Sequence, residues 1–210
     1  MNAATFLRRR LAGTYQVDPW GLDPDLVELV SPLAGLRWSL EVDGAHQLPP
    51  DGPAVVVCNR RFGVSEPLVL AAGLARATGR LVRLVGLPDV APVGPLLRRL
   101  GSTVAVPAEV AGLLRAGQVV GVPLVLEPTT RYRAGWLDPA LVTLALEQEA
   151  PVFPVAAIGH ELGRRWRLIV GPEAGHGAAD PAQMVDDVRT AVQALLDGAR
   201  PARRLWRGWR

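Results

Sequence analysis

Lysine is absent from this chain of 210 residues, and all 23 of its basic residues are arginine. Together with the abundance of Ala, Gly, Pro, Val and Leu, that bias fits a GC-rich genome and carries little functional information. Cysteine occurs once, as Cys58, which excludes an internal disulfide framework and a zinc site of paired thiolates. In an apolar run, Cys58 reads as a small core residue. Histidine occurs three times, as His46, His160 and His176. These are far apart in sequence and none has a catalytic neighbour pattern, so surface or loop roles and no metal site are expected. No uninterrupted apolar run of about 18 residues is present, nor a long apolar leader with a small-residue cleavage site. Neither a spanning helix nor a secretory signal is expected, and the address that follows is cytoplasmic.

What is present is enough apolar material for one sizeable core, with 49% hydrophobic and 20% charged residues. The formal charge is only +3, but arginine clusters at Arg8, Arg9 and Arg10 and again beyond Ala199. Short Val-rich runs alternate with Leu/Ala segments at helical spacing, the pattern of an α/β domain with a mixed, mostly parallel sheet flanked by helices. Strands are predicted at 37–42, 54–58, 81–85, 103–106, 119–126, 152–158 and 166–170. Helices are predicted at 24–30, 66–77, 92–100, 108–116, 139–147 and 182–196. Asp138-Pro139 and Asp180-Pro181 are favourable helix starts, because the carboxylate caps the first turn and proline's missing N–H has no partner there anyway. The domain organisation read from this is a helical lead (1–36), an α/β domain (37–198) and a basic Arg/Trp tail (199–210).

Four segments give this chain a family resemblance. The run AVVVCNRRFGVSEP, from Ala54, places an apolar strand before Asn59, then a loop, then a helix opening near Ser65. PLLRRLGSTVAV places a helix, a Gly turn and a strand in succession. LEPTTRYRAG carries Thr130 and Arg131, and EAPVFPVAAIG is a Pro-framed strand ending in Gly. In this order and spacing they resemble the four sequence blocks of the glycerol-3-phosphate and 1-acylglycerol-3-phosphate (lysophospholipid) acyltransferases. The opening stretch from Asp18 to Gly44 resembles the lead of actinobacterial members of that family.

The resemblance implies an acyltransferase-like protein of phospholipid metabolism. The reaction it implies is acyl transfer from acyl-CoA or acyl carrier protein to a glycerol phosphate or lysophospholipid, with no further cofactor. The family's first block reads Asn-His, four residues, then Asp; here Asn59 matches, Arg60 stands at the His position and Ser65 at the Asp position. A guanidinium cannot accept a proton from a substrate hydroxyl. The expectation is therefore a catalytically impaired protein acting as a lipid-binding or regulatory pseudoenzyme. The alternative is an active transferase in which Glu66 or the substrate itself serves as base. By resemblance, Asn59, Arg60, Thr130 and Arg131 are the substrate-binding candidates, since an arginine can pair two phosphate oxygens at once.

Each of these has a plainer reading beside it. Asn59, Arg60 and Arg61 also suit a solvated loop, and Arg98 and Arg99 suit the negative end of a helix dipole as well as a phosphate. In the tail, Arg203, Arg204, Trp206, Arg207 and Trp209 suit an anionic membrane interface, with an ordinary exposed tail as the alternative. The expected partners are an anionic membrane surface or lipid and a lipid-modifying enzyme, with no nucleic acid and no metal. The expected place is the inner face of the cell membrane, as a peripheral protein.

Overall fold

In the computed structural model, residues 1–60, 65–124, 133–175, 177–178 and 180–199 are described. β2 (Ala54–Cys58), with the sequence AVVVC, is buried along its whole length. Such an unbroken apolar run marks a parallel strand covered on both faces. It pairs in parallel with β5 (Val119–Pro123) on one side and β6 (Val152–Ile158) on the other. β3 (Val82–Val85) and the two-residue β4 (Ser102–Thr103) extend the β5 side in parallel. On the other side, β7 (Arg165–Val170) runs antiparallel to β6, and β1 (Ser39–Asp43) lies parallel to β7. The order of the seven-stranded sheet is β1-β7-β6-β2-β5-β3-β4.

Alternate residues of β2 enter two separate cores. Val55 and Val57 join the cluster beneath α5 (Pro107–Arg115), α6 (Pro139–Glu147) and α7 (Pro181–Gly198). Ala54, Val56 and Cys58 join the cluster beneath α3 (Ser65–Thr78). Helix starts follow the capping logic. The carboxylate of Asp138 accepts from the Ala140 amide at 2.9 Å, and that of Asp180 from the Gln183 amide at 2.8 Å.

Several expected bounds shift for identifiable reasons. The strand expected at 103–106 ends at Thr103, because Val106 is already the N-cap of α5 and Pro107 opens that helix. α2 runs from Pro24 to Arg37 and passes through Pro32, beyond the segment expected. α1 (Ala3–Leu11) and α4 (Val93–Arg99) complete the α-helices among the described residues.

The lead made by α1 and α2 is attached by charge more than by apolar packing. No residue of α1 is buried, and Asp25 is the only buried residue of α2. The attachment lies in the segment between the two helices. There Asp18 accepts from the fully buried Arg83 of β3 at 2.7 Å, and Asp23 pairs with Arg10 and with Arg99. At the far end of α2, Arg164 donates to the Leu36 carbonyl at 2.9 Å. Between these anchors α2 spans an apolar groove of about 310 Å³, lined among others by Val27, Leu33, Leu68, Ala71, Ala75 and Leu81. No helix among the described residues is long and apolar enough to cross a membrane.

Candidate functional site

The C-terminal ends of β2 and β6 lie side by side, and the loop leaving β2 begins at Asn59. This residue is buried, and its amide is fully committed to the neighbouring strand. Its Nδ2 donates to the Ala157 carbonyl at 2.9 Å and its Oδ1 accepts from the Ala157 amide at 2.7 Å. A side-chain amide can mimic a backbone peptide in this way, extending the ladder one step beyond the strand. Asn59 thereby fixes where the next residue leaves the sheet.

That residue is Arg60. It is half-buried, and its Nε is buried without a hydrogen-bond partner among the described residues. Such a donor carries a desolvation cost until something accepts from it. Glu66 lies in the first turn of α3 and is buried. Both charges are felt by Cys58 at the end of β2. Burial pushes the Cys58 thiol up to about 12, the Glu66 carboxylate adds to that rise and the Arg60 guanidinium opposes it. Asn59 and Arg60 thus follow directly on β2, the charges of Arg60 and Glu66 both act on the thiol at its end, and Cys58 is a core residue. Such a thiol stays protonated and inert at neutral pH.

Ser65, at the position where the resembled family carries Asp, is also buried. Its amide donates to Oε1 of Glu161 at 3.2 Å and its hydroxyl donates to the same oxygen at 2.8 Å. A carboxylate placed over the first turn of a helix is favoured by the helix dipole. Glu161 lies in the turn between β6 and β7 and had no place among the sequence-derived site residues. The sequence signal was present in HEL, directly after the Pro-framed strand. Its partner, however, lies 96 positions away, beyond the reach of local pattern reading. His160 precedes it, exposed, with Nδ1 accepting from the Leu162 amide at 3.3 Å.

Arg98 and Arg99 are accounted for structurally. Arg98 pairs with Asp89 and Glu109, and Arg99 with Asp23. Thr130 and Arg131, and the tail residues Arg203, Arg204, Trp206, Arg207 and Trp209, lie outside the described residues, as does His176. The apolar groove under α2 shares α3 with Ser65 and Glu66. Its lining residue Leu68 is three positions after Ser65 on α3, a rise of about 4.5 Å along the helix.

No family model matches the chain. It is 32% identical over 176 residues to an uncharacterized protein of Mycobacterium tuberculosis, the match covering 75% of this chain and 49% of that protein. An uncharacterized protein of Mycobacterium leprae is 31% identical over 176 residues, with 75% and 48% covered. The chain spans about half the length of the curated relatives it matches. Among solved structures, it is similar to the 1-acyl-sn-glycerophosphate (LPA) acyltransferase PlsC from Thermotoga maritima. The TM-score is 0.66 at 15% identity, over 84% of this chain and 81% of that one. The mixed, mostly parallel seven-stranded sheet flanked by helices is therefore an acyltransferase-like fold.

Proposed function

We propose that this chain is an acyltransferase-like protein of phospholipid metabolism that binds a lysophospholipid or lipid phosphate and does not turn it over by the family's usual proton abstraction. The observation that carries this reading is Arg60. It stands at the exit of β2 with a buried donor seeking an acceptor, in the position where acyl transfer needs a group that takes a proton from an alcohol. A guanidinium stays protonated and pairs with phosphate oxygens. The apolar groove along α3 offers a place for an acyl chain. Thr130 and Arg131 join the phosphate contact in this reading, by resemblance of their motif.

Lysophosphatidate titrated into the protein by calorimetry is expected to bind. Arg60→Met is expected to weaken binding about tenfold or more, in line with loss of a charge-assisted pair of about 1.5–3 kcal/mol. Ala72→Phe, which fills the groove, is expected to weaken a long-chain ligand and leave glycerol 3-phosphate unaffected. A sensitive acyl-transfer assay with acyl-CoA and acyl carrier protein donors decides the catalytic half. Sustained turnover by the pure protein, abolished by Glu66→Gln, would replace this reading with an active transferase that uses Glu66 as base.

The reading includes a peripheral position at the inner face of the membrane, through the arginines and tryptophans of the tail, where each basic residue gains about 1 kcal/mol near an anionic surface. Co-sedimentation with anionic vesicles, with and without the residues after Ala199, tests this part. Equal binding of both forms removes the tail from the argument.

A further inference from the structure

The turn between β6 and β7 is bound to the C-terminal end of α2, and both expose leucine. Leu162 in the turn is 83% exposed, and Leu36 and Leu33 on α2 are 71% and 58% exposed. Leu33 and Leu36 are three positions apart and share one helix face. Three side-chain bonds fasten the two pieces together. Arg37 donates through Nη2 to the Glu161 carbonyl at 3.0 Å and through Nη1 to the Gly163 carbonyl at 2.9 Å. Arg164 returns the contact by donating through Nη2 to the Leu36 carbonyl at 2.9 Å. The chain at 36 and the chain at 162 are thereby held in one patch, on the rim of the sheet where β6 ends.

Two features of this patch select its partner. The first is a backbone satisfied from within. The carbonyls of Leu36, Glu161 and Gly163 accept from guanidinium groups, that of His160 from the Gly163 amide at 2.7 Å, and that of Arg164 from the Ser39 amide at 2.7 Å. An apolar medium penalises unpaired backbone groups, and these are already paired. The second feature is charge. Arg37 and Arg164 direct their bonds to neutral carbonyls and keep their full charge, and Arg165 beside them is exposed. By contrast, Arg9, Arg10, Arg98 and Arg99 are matched by carboxylates. The carboxylate within the turn, Glu161, accepts from Ser65 at the start of α3.

We propose that this leucine patch, collared by Arg37, Arg164 and Arg165, is a contact surface for an anionic bilayer, which Leu36 and Leu162 enter at headgroup depth. A bilayer meets both features at once, since it sets an apolar medium beneath a plane of phosphates. The proposal rests on the peripheral position inferred above, and assigns contact to the folded domain in addition to the residues after Ala199. Docked in this way, the rim on which β2 and β6 end faces the lipid.

The full chain is tested by co-sedimentation with vesicles of phosphatidylglycerol and phosphatidylcholine in equal parts. The double variant Leu36→Ser, Leu162→Ser is expected to bind about tenfold or more weakly, from the loss of two buried apolar side chains. Arg165→Gln is expected to bind about fivefold more weakly, the share of one basic residue near an anionic surface. Binding of the double variant equal to wild type, or equal binding of the wild type to vesicles of phosphatidylcholine alone, overturns the assignment.

A second measurement leaves the rest of the patch intact. Leu162→Cys takes an environment-sensitive dye while the buried Cys58 stays unlabelled. Its emission is expected to shift to the blue on the anionic vesicles and to be quenched by brominated acyl chains. The same dye at Asp51→Cys, in the exposed loop before β2 at the opposite rim, is expected to stay unshifted. A blue shift that grows with protein concentration in the absence of vesicles assigns the patch to a second copy of the chain and overturns the proposal. Failure of lysophosphatidate to bind defeats the ligand reading, and unchanged binding after removal of the tail defeats the tail contact; neither alters what these variants report.

Discussion

The two faces of the sheet are built to different standards. Beneath α5 and α7, Leu113, Leu114, Val188, Val192 and Leu196 are almost completely removed from solvent. On the opposite face α3 packs closely, but α2 beyond it leaves Leu33 58% and Leu36 71% exposed and spans an apolar groove. α2 is held at its ends by polar ties, and its middle is only partly buried. Apolar burial scales with area removed from water, so the larger core cluster, on the closed face, contributes more of it, and the open face retains an apolar groove. A fold can keep its core intact while the residues around its site change, because the two draw on different faces.

The largest effect expected from this contrast is at the charged anchor of the lead. Asp18→Ala leaves Arg83 fully buried without its carboxylate, and chemical denaturation is expected to show a loss of about 3–5 kcal/mol. A loss below about 1 kcal/mol would mean that the lead is held by something other than this pair. Next, Leu113→Ala on the closed face is expected to cost about 2–5 kcal/mol, whereas Leu33→Ala on α2 stays within about 0.5 kcal/mol. Equal losses from the two substitutions would erase the distinction between the faces.

A smaller effect is expected at Gly159, where an added Cβ would lie 2.2 Å from the Trp166 ring. Gly159→Ala is expected to cost about 1–3 kcal/mol by overpacking. Because it enters the turn that carries Glu161, it is also expected to disturb ligand binding at the site. An effect absent at neutral pH concerns Cys58. Its thiol is raised to about 12 in the fold, so the folded chain holds the neutral form where the unfolded chain ionises. That contribution is present below the ordinary thiol range of about 8.5 and is lost as the pH rises towards 12, at up to about 1.4 kcal/mol per pH unit. Relative to Cys58→Ala, the wild type is expected to lose stability between pH 9 and 11, and a thiol reagent at pH 8 is expected to label it only after unfolding.

The framework was readable wherever local chemistry sets the structure. The runs at 54–58 and 152–158 and the helix at 139–147 form with the expected bounds, because unbroken apolar strands and an Asp-Pro start are local signals. The strand at 103–106 was overread, since Val104 and Val106 suit a strand by propensity while Pro107 commits the segment to a helix start. At the site, the place of Asn59 just after β2 and of Glu66 in the first turn of α3 followed from the motif. The closure of Asn59 on the Ala157 backbone and the seat of Glu161 did not, because both depend on which strand lies next to β2. No spacing within either segment encodes that neighbour.

One antiparallel pairing decides who reaches the site. In a parallel sheet each connection must carry the chain back to the opposite rim before the next strand begins. β7 instead runs against β6, so the short hairpin between them stays on the rim where β2 ends. A hairpin brings its side chains to that rim directly, since no crossover passes through it. In this architecture the chemistry of the rim is open to revision one residue at a time, without disturbing a single crossover.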